Sequence, residues 1–197
     1  MNRLVIVTVL LACAGEVVAQ DQAPRQDAET RGRFFAPVLE VTSLRDQTAV
    51  MLGGRGGLSV TPSFMVGLGL YGTLRHVDAP EGAVPTVSYP LDLKMERFGL
   101  ELEYALHPTT PTHVTASSFV GAGALHYVKS GTQDQEGETD FVLLLQPAVG
   151  VEQRLLDRLH LNLAVSWRLA GGVEMAGLTA GDIAGPAVTL AVKLGRF

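Results

Sequence analysis

The stretch LHLNLAVSWRL, residues 159–169, alternates strictly between apolar and polar or small side chains. Its odd-numbered positions are Leu, Leu, Leu, Val, Trp and Leu, and its even-numbered positions are His, Asn, Ala, Ser and Arg. Successive side chains of a β-strand point to opposite faces. This period of two therefore predicts a strand with one apolar face and one polar face.

Similar alternation recurs along the chain and predicts an all-β fold without a convincing helix. It is sharpest over residues 98–106, where Glu101 and Glu103 lie opposite a row of large apolar side chains. Residues 114–128 are apolar or small on both faces, so their register stays open, as does that of residues 50–60. The eight predicted strands are 35–41, 50–60, 64–75, 98–106, 114–128, 141–151, 159–169 and 188–194.

The connections between these strands alternate in length. Short ones are expected at 61–63, 107–111 and 155–158, and long ones at 76–93, 129–140 and 171–185. Only the first, 44–48, is short where a longer loop is expected. Membrane barrels have short periplasmic turns and long external loops. The alternation of short and long connections therefore favours a closed antiparallel up-and-down transmembrane β-barrel of about eight strands.

Aromatic residues fall near the strand ends, where the two aromatic girdles of a membrane barrel are expected. Phe34 also lies at an inner strand end, and Phe119 is the main exception because it is mid-strand. The predicted girdle residues are Phe35, Phe64, Phe98, Tyr104, Tyr127, Phe141, Trp167 and Phe197.

On these patterns the chain resembles the small eight-stranded outer-membrane barrels, the group of the OmpA transmembrane domain and OmpX, with OmpW a looser relative. The resemblance includes GGRGGL at 53–58 leading to PSF at 62–64, and a last strand that ends in Phe197. It implies that the protein lies in the outer membrane of a Gram-negative-type bacterium, in contact with lipid and lipopolysaccharide. It also implies insertion by an assembly machinery that recognises a C-terminal aromatic residue. Phe197 is out of phase with residues 188–194, so a bulge near Gly195 or a looser signal is expected.

The N-terminus predicts export. Arg3 precedes a short apolar run over residues 4–15, and small residues lead to Ala19, the expected cleavage site. The alternative is a lipoprotein acylated at Cys13. The predicted organisation is a signal peptide over residues 1–19, a flexible periplasmic lead-in over 20–33 and the barrel over 34–197.

Several kinds of chemistry are not expected. Cys13 is the only cysteine, so the mature chain has no disulfide or thiol chemistry, and a net charge of −5 without a basic run disfavours nucleic acid. The GxGxxG pattern at 67–72 lies inside a strand with no helix after it, which disfavours nucleotide binding. His160 and Ser166 share a face but lie about 20 Å apart, too far for a nucleophile–base pair. No enzyme, cofactor or metal site is predicted.

The interior of such a small barrel is filled by side chains. Charged residues on the inward faces predict an ion-pair network that is structural rather than conducting. The expected function is a non-enzymatic role, structural or in surface interaction, carried by the external loops. The alternatives are a narrow channel or hydrophobic-solute conduit, a lipid-modifying enzyme, and a soluble lipocalin-like carrier; the oligomeric state stays open. The predicted network residues are Glu40, Arg55, Arg75, Arg97, Glu101, Glu103, Glu152, Arg168 and Lys193.

Overall fold

The computed structural model of the chain describes residues 32–74, 77–132 and 134–197. The predicted signal peptide, nearly all of the lead-in, and Arg75 lie outside the described residues. The strands are β1 Arg33–Leu44, β2 Gln47–Ser59, β3 Phe64–Thr73, β4 Val77–Asp78, β5 Leu91–Leu106, β6 Thr112–Lys129, β7 Gln135–Leu156, β8 Leu159–Gly171 and β9 Gly185–Gly195.

Eight of these strands close into a barrel. Neighbours in the sheet follow the chain order β1, β2, β3, β5, β6, β7, β8 and β9, and β9 pairs with β1 to complete the ring. Every pairing is antiparallel. The two-residue β4 pairs with the start of β5, outside the ring. The predicted closed antiparallel barrel of eight strands is confirmed.

The two ends of the barrel differ. The turn end holds the connections 60–63, 107–111 and 157–158, with the first and last barrel residues beside them. The loop end holds 45–46, 74–90, 130–134 and 172–184.

Two segments predicted as loops are partly strand. β5 begins at Leu91 and β7 at Gln135, because the pairing of β6 with both neighbours continues beyond the ring. The only helix among the described residues is the single turn α1, Ala180–Ile183, which the sequence did not predict. One helical turn is too short to produce a 3.6-residue hydrophobic period. Among residues 32–74, 77–132 and 134–197, no helix has the length and apolar character needed to cross a bilayer.

The two faces of the sheet meet different surroundings. On β8, Val165 is 61% exposed on the outside while Arg168 is 0% exposed on the inside. On β5, Leu100 faces outward and Glu101 and Glu103 face inward. This arrangement is opposite to that of a lipocalin, whose apolar residues line the interior. The lipocalin-like alternative is therefore wrong.

Candidate functional site

The half of the interior nearer the turn end holds a cluster of buried charges. The Lys193 ammonium donates hydrogen bonds to both Glu103 and Glu152. Arg55 forms ion pairs with Glu103, at 3.1 Å, and with Glu101, at 3.7 Å. β2, β5, β7 and β9 each contribute to this cluster, because inward positions of an alternating strand share one parity.

A second cluster lies nearer the loop end. Arg97 donates to Glu40 at 2.7 Å and also to the side-chain oxygen of Gln146. The Gln146 amide donates in turn to Glu40, at 3.1 Å, and to Ser166, at 2.8 Å. Arg168 lies 3.7 Å from Glu40. This cluster therefore links β1, β5, β7 and β8 across the interior.

Aromatic rings connect the two clusters. The Tyr71 hydroxyl donates to Glu101, and the Arg97 guanidinium lies 4.3 Å from the centre of the Tyr71 ring and 4.9 Å from that of Phe119. A Cβ at Gly99 would lie 2.6 Å from the Cα of Gly121 and 2.8 Å from the Phe119 ring. Phe119 departs from the girdle pattern because it faces inward and covers this glycine pair.

The structure brings together eight of the nine predicted network residues, and Arg75 lies outside the described part of the chain. The cations are Arg55, Arg97, Arg168 and Lys193, and the carboxylates are Glu40, Glu101, Glu103 and Glu152. All eight side chains are buried, and the network holds as many carboxylates as basic groups. Buried charges persist only when paired, and removing one partner of a pair costs about 3–5 kcal/mol.

Two histidines extend the network toward the turn end. His160 Nδ1 lies 2.7 Å from a Glu152 carboxylate oxygen, and His113 Nε2 lies 3.6 Å from the same oxygen. The Phe197 ring stacks on His160 with centroids 3.9 Å apart, and on Phe34 with centroids 6.3 Å apart. Phe197 therefore covers the interior at the turn end.

Two of the predicted girdle positions were wrong. Phe197 contacts inward-facing rings because it has the inward parity of Lys193. Tyr127 is 2% exposed, since it shares the inward parity of Phe119 and its hydroxyl donates to the Ala176 carbonyl. The structure places the other aromatic residues of that prediction on the outer face, with Phe64 partly covered: Phe35, Phe64, Phe98, Tyr104, Phe141 and Trp167.

A small cavity lies between the two clusters. A cavity of about 30 Å³ is lined by Glu40, Arg55, Tyr71 and Arg97, among others. A buried water needs about 10–15 Å³ of such space. This cavity therefore has room for about two waters and is not a continuous pore.

The loop end of the interior is closed by a lid, here residues 172–184. Met175, Leu178 and Ile183 of the lid are buried against apolar side chains of the barrel wall, and Ala83 and Val84 of the 74–90 connection join them. Val77 of β4 also belongs to this apolar cluster, and its wall residues include Leu44, Met51, Leu93, Met95, Leu125, Tyr127, Val142 and Leu144.

Hydrogen bonds hold the lid in place. The Asp140 carboxylate accepts from the backbone N–H groups of Glu174, at 2.8 Å, and Met175, at 2.9 Å. Arg168 donates to the carbonyl of Ile183 in the lid at 2.8 Å and to that of Ser43 in β1 at 2.7 Å. Arg168 thus joins the buried charges to the lid.

The start of α1 is fixed by its own cap. The Asp182 carboxylate accepts hydrogen bonds from the hydroxyl of Thr179, at 2.6 Å, and from its backbone N–H, at 2.8 Å. These bonds hold the pKa of Asp182 below its ordinary value of 3.8. The Asp182 carbonyl accepts from the backbone N–H of Arg45, which ties the helix to the first connection.

Comparison with solved structures identifies the fold. The N-terminal barrel domain of Pseudomonas aeruginosa OprF is 11% identical, with a TM-score of 0.53, over 83% of this chain and 96% of that chain. Neisserial surface protein A is 11% identical, with a TM-score of 0.55, over 87% of this chain and 99% of that chain. The chain has the fold of the small eight-stranded outer-membrane β-barrels. No protein-family profile matches it, and neither does any curated protein sequence.

Within this barrel, the described residues hold no group of three or more His, Cys, Asp or Glu side chains arranged to bind a metal ion. The acidic segment 134–140 instead makes internal contacts: Glu136 accepts from the Tyr89 hydroxyl, and Asp140 binds the lid. The hydrogen bond to Glu136 raises the pKa of Tyr89.

Sequence reasoning missed two parts of the site. Gln146 was not recognised as a member of the network, although its inward parity on β7 was a usable signal. The lid gave no signal, because Met175, Leu178 and Ile183 are scattered through a glycine-containing segment without strand or helix periodicity.

Proposed function

We propose that this protein is an outer-membrane barrel with a closed interior, and that its structured loop end carries a non-enzymatic role at the cell surface. The turn end would face the periplasm and the loop end the exterior. The observation that carries the proposal is the double closure of the interior. Balanced buried ion pairs fill its centre, and the apolar lid covers its loop end.

The outer face supports membrane insertion. Apolar side chains such as Leu70, Leu143 and Val165 are well exposed there, and charged side chains of the same strands face inward or lie at the ends. In a bilayer every backbone N–H and C=O group needs a partner within the protein, which a closed barrel provides.

Heat-modifiable gel mobility tests the membrane proposal. The chain extracted from outer membranes in detergent is expected to migrate at one position unheated and at another after boiling, because a folded barrel resists unfolding by detergent. A soluble periplasmic pool with no mobility shift would contradict the proposal.

Planar-bilayer recording tests the closed interior against the narrow-channel alternative. Purified, folded chain is expected to give no discrete conductance above leak, because buried ion pairs fill the centre of the barrel and the apolar lid covers its loop end. Reproducible single-channel steps from the wild type would favour the channel.

Mass spectrometry of lipid A and phospholipids from a deletion strain tests the enzyme alternative, and unchanged lipids are expected.

A further inference from the structure

Charge is distributed unevenly between the two ends of the molecule. Exposed basic side chains gather at the turn end, where Asp157 is the only exposed acidic side chain among the described residues. Acids dominate the loop end, against Arg45, Lys94 and Lys129. The acids there are Asp46, Asp78, Glu81, Asp92, Glu96, Asp134, Glu136, Glu138, Asp140, Glu174 and Asp182.

Three of the turn-end arginines form a contiguous arc. Arg33 begins β1, Arg196 follows β9, and Arg158 precedes β8. The backbone N–H of Arg196 donates to the Arg33 carbonyl at 2.9 Å, and that of Gly195 donates to the Arg158 carbonyl at 3.1 Å. Neighbouring strands in a sheet are about 4.8 Å apart, so the three backbones lie side by side along the rim.

The side chains of this arginine arc, Arg33, Arg158 and Arg196, are exposed. Within the part of the chain that the structure describes, none of the three guanidinium groups has an ion pair or a hydrogen bond. Their neighbour Arg154 differs, because it donates to the Thr109 carbonyl at 3.0 Å. Toward the described residues, the arc therefore presents positive charge that no acidic side chain neutralises.

Two strands of the arc, β1 and β9, carry an apolar residue on the outer face just above their arginine. Phe35 lies two residues after Arg33, and Leu194 lies two residues before Arg196. Both are exposed on the outer face, at 48%. Two residues of strand cover about 7 Å, so the guanidinium groups lie where the apolar belt ends. In a bilayer this is the level of the headgroup phosphates.

We propose that the arginine arc is a binding site for the phosphate of an anionic phospholipid in the leaflet at the turn end. Guanidinium groups recognise phosphate oxygens through paired N–H donors, and basic side chains near a membrane surface attract anionic lipids. The inference rests on the proposed membrane insertion. Insertion places the apolar belt, and hence the arc, at a fixed depth.

Native mass spectrometry of the folded chain tests this site. The protein is reconstituted with phosphatidylcholine and phosphatidylglycerol, and the retained lipids are compared. We expect the wild type to retain phosphatidylglycerol preferentially. Combined Arg33→Gln, Arg158→Gln and Arg196→Gln substitutions should reduce that preference by about tenfold or more, since each basic group contributes separately. The matched control is Lys129→Gln at the loop end, which should leave the preference unchanged.

Gel mobility in phosphatidylcholine vesicles is measured beside every variant, so that folding is scored separately from lipid preference. If the triple variant does not fold, Arg158→Gln alone should still lower the preference by about fivefold. The proposed binding site would be contradicted by a wild type that shows no preference for phosphatidylglycerol, or by a folded triple variant that keeps the preference. A wild type that fails to insert into any vesicle would contradict the proposed function instead.

Discussion

At the level of single residues, parity along the strands explains most of the interior. The alternation predicted which charged side chains face inward, and the structure buries the described ones. The alternation did not predict which side chains would pair. Lys193, for example, donates to Glu152 and Glu103, which are 41 and 90 positions away in the chain. Partners at such separations depend on how the strands are staggered around the ring, and no single strand contains that information.

Lys193→Met should destabilise the barrel by about 3–5 kcal/mol, because Glu103 and Glu152 would be left buried without their shared cation. The free energy of unfolding, measured by urea titration in vesicles, checks this. Lys129→Met removes an exposed lysine at the loop end and serves as the control. Equal stability of the two variants would show that the buried pairs contribute nothing.

Tyr71→Phe should cost about 1–3 kcal/mol, since it leaves the buried Glu101 carboxylate without its hydroxyl donor. Tyr104→Phe makes the same change on the outer face, where the ring is 51% exposed, and should alter stability little. The comparison separates loss of a buried hydrogen bond from any general effect of removing a tyrosine hydroxyl. A larger loss for Tyr104→Phe would contradict the inward assignment.

At the level of elements, strands were predictable and the lid was not. Most barrel strands were predicted from their own period of two, and all eight predicted strands overlap a strand of the ring. The lid is ordered by contacts with distant strands: Asp140 on β7, Arg168 on β8 and the apolar wall. Register was open for the fifth predicted strand because both of its faces are small or apolar. The inward position of Tyr127 follows from that register.

Asp140→Ala should loosen the lid, because the Glu174 and Met175 N–H groups lose their carboxylate acceptor. Hydrogen exchange of residues 172–184, measured in nanodiscs, is expected to speed up while exchange in the barrel strands stays unchanged. Glu138→Ala, on the same strand but exposed, is the matched control. Lid exchange that is the same in both variants would show that Asp140 does not hold the lid.

At the level of the whole molecule, the difference between the two ends predicts how the barrel lies in the membrane. Short turns and the arginine arc mark one end, and long acidic connections mark the other. The only cysteine is Cys13, within the predicted signal peptide, so single introduced cysteines report position cleanly. Glu138→Cys should react with a membrane-impermeant maleimide on intact cells, because the exposed start of β7 would be external. Asp157→Cys should react only after the outer membrane is permeabilised, since it lies in a turn at the opposite end. Labelling in the reverse order would place the arc at the cell surface, and labelling of both positions on intact cells would argue against a single orientation.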